Sequence, residues 1–334
     1  MYRPPRGRWP LGNGILLLAA CVAVAAYYGL AGTLARQGRD ALFDSPEERE
    51  AYRLMVQGMD VIAKAREAAG YPLDSGADPN RTGLIGVEWS GITTTLGDLH
   101  AKRTATNPVW AGVLVRWMRE AGVRPGSTVW ATFSGSFPGL NLAVLVAAEA
   151  LQARVVAVSS LGASMWGANL PGFSWAAMEH ALREAGIVSS GTVAVTLGGS
   201  VDRGEGMPAG DVELLQDAAR KAGWPLLRPA DLAEAVSLRL MVLEEAGGGR
   251  QPALYVNVGG GHASLGGCPD SAKWPPGLSR EPRPCPGGVP GMLHVMSNRN
   301  VPVLHLLNIK ELALSAGIPI DAVFRRDEAP IGPR

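Results

Sequence analysis

Small hydroxyl and glycine residues follow most of the apolar segments that the sequence predicts to be strands. The clearest case is the apolar segment 128–133, which ends at Ser134-Gly135-Ser136 just before a helix start at Pro138. Small residues let a ligand approach the backbone, and free N–H groups at a helix start attract negative charge. The turn therefore indicates a carboxylate or phosphate site, while a tight turn capped by serine explains the pattern equally well.

Nucleophilic catalysis is a second chemistry for these turns. It needs a hydroxyl beside a base, together with an acid that orients the base. A Gly-x-Ser-x-Gly elbow is absent at Ser136, because positions 134 and 138 are not glycine. A histidine after a strand is more often structural than catalytic. The candidate nucleophiles, bases and acids are Ser134, Ser136, Ser160 and Ser164; His100, His262 and His305; and Glu88 and Asp202.

Basic, amide and hydroxyl side chains in the same predicted loops are suited to an acidic ligand. The predicted binding residues are Lys102, Arg103, Thr104, Ser134, Gly135, Ser136, Ser160, Asn169, Arg203 and Asn257. Because the carboxyl ends of parallel strands lie at one edge of a sheet, we expect one mixed-charge cleft there. The residues expected to converge on it are Glu88, Lys102, Arg103, Ser134, Ser136, Ser160, Asn169, Asp202, Asn257 and His262.

The elements that must position these residues alternate between strands and helices. This alternation predicts an α/β fold with a mostly parallel sheet and helices on both faces, preceded by one N-terminal transmembrane helix. The predicted strands are residues 84–88, 128–133, 154–158, 192–197, 253–257 and 301–307. The predicted helices are 46–69, 108–121, 140–151, 175–185, 208–222, 229–245, 292–297 and 309–316. Between them, 89–108 is predicted to be a long functional loop.

Composition argues against several classes of protein. The net charge of +1 provides no basic surface, so no nucleic-acid partner is expected. Neither a phosphate-binding P-loop nor a dinucleotide motif is present, and no cofactor is expected. The three cysteines lack the short paired spacing of a zinc site, so no metal is expected. Cys268 and Cys285 flank a loop rich in proline and glycine; they form either a disulfide outside the cytoplasm or two free thiols.

The N-terminal region predicts a membrane anchor. Arg3, Arg6 and Arg8 precede residues 11–35, which include no charged residue. This pattern predicts residues 1–10 in the cytoplasm, a single span at 11–35, an extracytoplasmic domain at 45–320 and a loose tail at 321–334. Two alternatives remain: a lipoprotein modified at Cys21, and a cleaved signal peptide.

Several segments of the sequence resemble the bacterial poly-gamma-glutamate system protein family. They are residues 86–97, 101–108, 134–138, 159–169, 257–261 and 305–310, within a similarity that covers about 47–320. The resemblance implies a membrane-anchored accessory protein, encoded with the machinery that makes and exports poly-γ-glutamate. It supplies no catalytic residues. The expected partners are the membrane, the synthase and export complex, and poly-γ-glutamate or another acidic ligand.

Three functions are compatible with these patterns. The first is an accessory protein that binds the polymer or its carboxylates at the edge of the sheet. The second is a hydrolase or transferase that acts on the γ-glutamyl amide bond at the same edge. The third is a structural subunit of the export complex, which would use the outer helices instead. A contact between a serine and a histidine within hydrogen-bond distance would favour the second function.

Overall fold

The computed structural model describes residues 18–27 and 43–324. Residues 18–27 are helical with exposed side chains. Within these two ranges no helix is both long and apolar enough to cross a membrane. The predicted anchor at 11–35 lies mostly outside the described residues, and it therefore stays a prediction.

The α/β alternation expected from the sequence is present. The strands are β1 (Thr128–Ser134), β2 (Arg154–Ser160), β3 (Asn169–Leu170), β4 (Phe173–Ser174), β5 (Gly191–Thr196), β6 (Leu254–Val258), β7 (Gly277–Ser279) and β8 (Val303–Leu306). The helices are α1 (Pro46–Ala68), α2 (Leu99–Ala105), α3 (Val109–Ala121), α4 (Pro138–Ala150), α5 (Trp175–Glu184), α6 (Ala209–Lys221), α7 (Leu232–Ala246), α8 (His262–Leu265), α9 (Met292–Asn298) and α10 (Ile309–Ser315).

Six strands form one twisted sheet in the order β5-β2-β1-β6-β8-β7. All neighbours pair in parallel except β7, which lies antiparallel at the edge. β1 is therefore central, and its last residue, Ser134, is in register with Ser160 at the end of β2. The two hydroxyl-rich turns predicted after these strands consequently begin side by side.

Alternating side chains of β1 pack into two separate cores, which places helices on both faces of the sheet. Phe133 belongs to the larger core, with apolar residues of α1, α3, α4, α5 and α10. Trp130 points to the other face, with residues of α7 and α9. Both aromatic side chains are fully buried, as expected for a strand that is covered on each side.

Two predicted segments are wrong. Residues 84–86 are buried, but no strand forms at 84–88, because the backbone there pairs with a loop: Gly86 N–H donates to Trp166 O, and Trp166 N–H donates to Val87 O. The predicted long loop 89–108 contains α2, which begins after Asp98, whose carboxylate accepts a hydrogen bond from Ala101 N–H at 2.9 Å. That aspartate is an ordinary helix-start signal.

Of the two alternatives expected for Cys268 and Cys285, the disulfide is the one that the structure shows. Cys268 and Cys285 are joined, with Cα atoms 5.4 Å apart, and the bond closes the loop that carries edge strand β7. The first four residues of the predicted loose tail, 321–324, lie within the described part of the chain, and the rest of that prediction lies outside it. Asp321 N–H donates to the Thr104 hydroxyl, and Phe324 N–H donates to the Asn80 side chain, so the chain is held to residue 324.

Candidate functional site

A cleft of about 660 Å³ lies at the carboxyl edge of the sheet. It is lined by the segments that follow β1, β2, β5, β6 and β8, and by the loop that leads into α2. Its lining includes serine and threonine hydroxyls, glycine backbone and few large apolar groups. The lining residues are Thr94, Thr95, Leu96, Gly97, Asp98, Ala101, Lys102, Ser134, Ser136, Phe137, Ser160, Gly162, Ser164, Gly198, Gly199, Ser200, Asp202, Gly260, Gly261, His262, Leu307, Asn308, Ile309 and Lys310.

The turn after β1 is held by its own hydrogen bonds. Ser136 N–H donates to Ser134 Oγ at 3.1 Å, and the Asn141 side-chain amide donates to Ser134 O at 2.9 Å. Gly135 N–H donates to Ser160 O at 2.9 Å, which ties this turn to the end of β2. The turn leads into α4, a helix of 13 residues whose N-terminal end carries partial positive charge.

Helix α2 places Lys102 directly beside this turn. The approach depends on Gly139 in α4, because a Cβ there would lie only 2.4 Å from the carbonyl oxygen of Ala105 at the end of α2. Trp110 fixes the same end of α2, since its indole N–H donates to Thr104 O at 2.9 Å. Lys102, which belongs to the short helix α2, thus forms part of the floor of the cleft.

Lys102 is only 3% exposed. Its ammonium nitrogen donates to Ser164 Oγ at 2.6 Å and to the Ser136 carbonyl oxygen, and lies 3.8 Å from the centre of the Phe137 ring. Among the described residues no carboxylate pairs with it. Burial disfavours the charged form and lowers the pKa of Lys102 from 10.5 to about 7. At neutral pH the group is therefore divided between ammonium and amine.

Two serines connect this lysine to the turn. Ser164, which is buried, donates its backbone N–H to Ser136 Oγ at 2.9 Å, while its own hydroxyl meets Lys102. Within residues 43–324 the Ser136 hydroxyl accepts this bond and donates to no acceptor. The arrangement places a hydroxyl, an amine and an uncommitted O–H group in one part of the cleft.

The other charged groups of the cleft are neutralised locally. Lys310 Nζ lies 2.6 Å from Asp98 Oδ2, and both side chains are half-exposed at the rim. Asp202 Oδ2 lies 2.8 Å from the buried Arg239 guanidinium, and Asp202 also accepts from the Thr196 hydroxyl. The carboxylate of Asp202 is thus committed to Arg239, which leaves Lys102, among the residues that the structure describes, as the charged group of the cleft without a counter-ion.

The cleft brings together six of the ten residues expected to converge. They are Lys102, Ser134, Ser136, Ser160, Asp202 and His262. Glu88 is exposed and does not line the cleft. Arg103 is directed away, because its guanidinium donates to Ala77 O and lies 3.3 Å from Asp321. For these two residues the expected convergence is wrong.

The two asparagines expected in the cleft serve the backbone instead. Asn169 is fully buried and bonds both the N–H and the C=O of Val87, so it acts in place of a neighbouring strand. Asn257 donates to Gly259 O at 2.7 Å and to His305 Nδ1 at 2.9 Å. Their predicted placement in the cleft is wrong, because each amide satisfies buried polar groups of the chain.

The remaining predicted binding residues also lie outside the lining. Thr104 donates its hydroxyl to His100 O at 2.7 Å within α2, and Arg203 is exposed. Gly135 lies beneath the surface of the turn, with carbonyl oxygens of the next segment against it. None of these three contributes a side chain to the cleft.

The three histidines predicted as bases differ in burial and in position relative to the cleft. His305 is buried in β8, where desolvation lowers its pKa to about 4 and its Nδ1 faces the Asn257 amide. The ring of His100 lies outside the cleft, with Nδ1 2.6 Å from Asp321. His262 does line the cleft but is exposed. The side chain that meets a serine hydroxyl is that of Lys102, which the sequence predicted only as a binding residue.

The predicted site residues leave out several residues of the rim, notably Thr94, Leu96 and Ser200. A readable signal existed for the first two, because a long polar loop in a compact domain tends to be functional. No such signal marked Ser164 as the partner of Lys102, since the two are 62 residues apart.

One cluster outside the cleft has the composition of a metal site. Ligand atoms of Cys268, Cys285 and His294 lie within 4.8 Å of one another. The two sulfurs are bonded to each other, so they present no thiolates, which are the form that binds zinc.

Comparison with known proteins adds little. No protein-family profile and no curated protein matches the chain. Two solved structures are weakly similar: O-ureido-L-serine synthase, and a mutant of that enzyme with O-ureido-L-serine bound. Each is 16% identical over 70% of this chain, spanning 77% and 75% of the respective neighbour, with a TM-score of 0.18. Likeness at this level carries no argument about this protein.

Proposed function

We propose that the cleft binds carboxylate groups of an acidic ligand, and that this ligand is poly-γ-glutamate. The observation that supports the proposal is Lys102, a buried cation with no carboxylate partner among the described residues. A charge that is removed from water without a counter-ion is costly, so an anion that enters the cleft would recover much of that cost. Binding of this kind should also raise the pKa of Lys102.

Other features of the cleft support the same class of ligand. The N-terminal end of α4 adds partial positive charge beside Ser136, and hydroxyls at several strand ends are available to donate to carboxylate oxygens. The cleft is open along the carboxyl ends of the strands, so it accommodates a segment of an extended polymer. The resemblance to the poly-gamma-glutamate system proteins supplies the identity of the polymer.

The same resemblance supports the cellular role that we propose: a single-pass membrane protein that assists synthesis or export of the polymer, with its α/β domain outside. Alkaline phosphatase fused after residue 40 tests the orientation, and an inactive fusion would contradict it. The mass of the N-terminal segment separates an uncleaved anchor from a lipoprotein modified at Cys21.

The binding experiment compares the full chain with Lys102→Met, using fluorescent poly-γ-glutamate oligomers. A lost charge-assisted hydrogen bond is worth about 2 kcal/mol, so we expect roughly 30-fold weaker binding. Binding should weaken with added salt. It should also weaken from pH 6 to pH 8, because Lys102 loses its proton near pH 7 while the polymer stays ionised.

The matched control is Lys221→Met, which removes an exposed lysine at the end of α6. Oligomers whose carboxylates are converted to amides should not bind. Equal affinity of the wild type and Lys102→Met for the ionised oligomer would overturn the proposal. That result would leave the outer helices, rather than the cleft, as the surface that serves the export machinery.

A further inference from the structure

We infer that Ser164 and Lys102 form a nucleophile–base pair that cleaves or transfers carboxylic amide bonds, with γ-glutamyl amides as the substrate class. The choice of substrate class rests on the proposed function, whereas the reactivity of the pair does not. Both residues line the same cleft, which is open to a ligand at the carboxyl edge of the sheet. Within the described residues Lys102 forms no ion pair, so its amine is available to Ser164.

The distance between the pair fits the chemistry. Ser164 Oγ lies 2.6 Å from Lys102 Nζ, within the range required for a base to take a hydroxyl proton. The amine is also oriented by groups other than the serine. The Ser136 carbonyl oxygen accepts a second hydrogen bond from it, and the Phe137 ring covers one side. Orientation by a third group is a recurring feature of activated nucleophiles.

The environment also sets the protonation state that a base needs. Burial brings the pKa of Lys102 to about 7, so close to half of the molecules carry a free amine at neutral pH. A lysine in water, with a pKa of 10.5, would be almost entirely protonated there. General bases are most effective when their pKa is close to the working pH.

The reaction then proceeds in two balanced steps. Ser164 Oγ bonds to the carbonyl carbon while Lys102 takes the hydroxyl proton; the C–N bond breaks, and the ammonium gives that proton to the leaving amine. Water then attacks the resulting ester, Lys102 takes a proton from the water, and the proton returns to Ser164 Oγ as the ester C–O bond breaks. An amine in place of water gives transfer rather than hydrolysis.

The cluster of Lys102, Ser164 and Ser136 also includes a hydrogen-bond donor for the oxyanion that develops during the reaction. The Ser136 hydroxyl is held 2.9 Å from Ser164 N, and its own proton is uncommitted among the described residues. Removing one donor of this kind typically lowers the rate by about 100-fold or more. Ser136→Ala should therefore reduce turnover while leaving the nucleophile able to react slowly.

Other ionisable groups share the cleft and must be separated from Lys102 in any pH profile. Asp98 pairs with Lys310 at the rim, and Asp202 pairs with Arg239. His262 is the remaining group, exposed at the start of α8. The pH profile must therefore be repeated in His262→Gln, which removes the imidazole from the cleft.

The first test avoids the polymer altogether. The full chain is treated with a fluorophosphonate, which bonds to a serine Oγ with loss of fluoride, and is assayed for hydrolysis of p-nitrophenyl acetate. We expect one adduct, on Ser164, and esterase activity that rises with pH through an inflection near 7. Ser164→Ala should abolish labelling, and Lys102→Arg should lower the rate by about 100-fold or more, because arginine keeps the charge but is not a base.

Ser237→Ala is the matched control, since Ser237 lies on the exposed face of α7 and bonds only to its own helix. Circular dichroism tests whether each variant is folded. Ser164→Ala removes only one oxygen atom, so its labelling and its esterase rate test the assignment even if Lys102→Arg unfolds. An unlabelled Ser164, equal esterase rates in wild type and Ser164→Ala, or an inflection that vanishes in His262→Gln would overturn the assignment.

The second test separates the two proposals. Binding of the polymer requires the ammonium form and should fall as pH rises, whereas catalysis requires the amine and should increase. Labelling of Ser164 without any polymer binding refutes the proposed function alone. Binding without labelling refutes the nucleophile–base pair alone. Shortening of poly-γ-glutamate by the wild type, but not by Ser164→Ala, supports both together.

Discussion

The stability of the protein should depend on pH through Lys102. Burial lowers the pKa of this residue from 10.5 to about 7. Between these values the unfolded chain holds a proton that the native protein has released, so the free energy of unfolding rises with pH. Each pKa unit corresponds to 1.36 kcal/mol, which gives a total of about 5 kcal/mol. The native state has this stability in full above pH 10.5 and loses it as the pH falls to 7.

Lys102→Met removes this dependence, because methionine has a similar length and no charge. The difference in unfolding free energy between wild type and variant should change by about 2 kcal/mol in favour of the wild type between pH 7 and pH 9. Near pH 7 the variant should be at least as stable as the wild type, since it avoids the cost of a buried ammonium. A more stable protein with a lost function is the usual sign of a strained functional group.

Urea denaturation of the full chain, followed by tryptophan fluorescence at several pH values, measures this difference. Contributions of all other titrating groups cancel when the two proteins are compared at the same pH. Lys221→Met, on an exposed surface, should follow the wild-type curve at every pH. Parallel curves for wild type and Lys102→Met, within about 0.5 kcal/mol from pH 7 to pH 9, would refute the reasoning, because the lysine would then have an ordinary pKa.

Three further predictions concern elements around the site. Reduction of the Cys268–Cys285 disulfide should lower the unfolding free energy by about 3 kcal/mol, seen as a lower melting temperature; an unchanged melting temperature would show that its loop is held by other contacts. His305 should stay neutral in NMR titrations down to about pH 4, and a transition near 6.5 would contradict its burial. Gly259→Ala should destabilise the protein, because its backbone is in the left-handed region and a Cβ would lie 2.9 Å from Ser134 Cβ, whereas Gly260→Ala, with ordinary contacts at 3.6 Å, should be tolerated.

The location of the site was predictable from the sequence because it follows from local patterns. Apolar segments that alternate with amphipathic ones indicate parallel strands, and parallel strands put their carboxyl ends at one edge. Ser134 and Ser160 end adjacent strands in register, and both line the cleft as the order of elements required. The same logic failed for Glu88, because the backbone of the preceding residue, Val87, bonds to the Asn169 side chain rather than to a neighbouring strand.

The chemistry of the site was decided by tertiary structure. The pKa of Lys102 is a property of what covers the side chain, namely the α2–α4 contact at Gly139 and the Phe137 ring, and neither contact can be read from the residues next to Lys102 in the chain. Its partner Ser164 comes from a loop 62 residues away. The sequence by itself determined which edge of the sheet carries the polar side chains of the cleft. Only the packed chain decided which two of them meet, because desolvation and hydrogen-bond distance depend on segments that folding brings together.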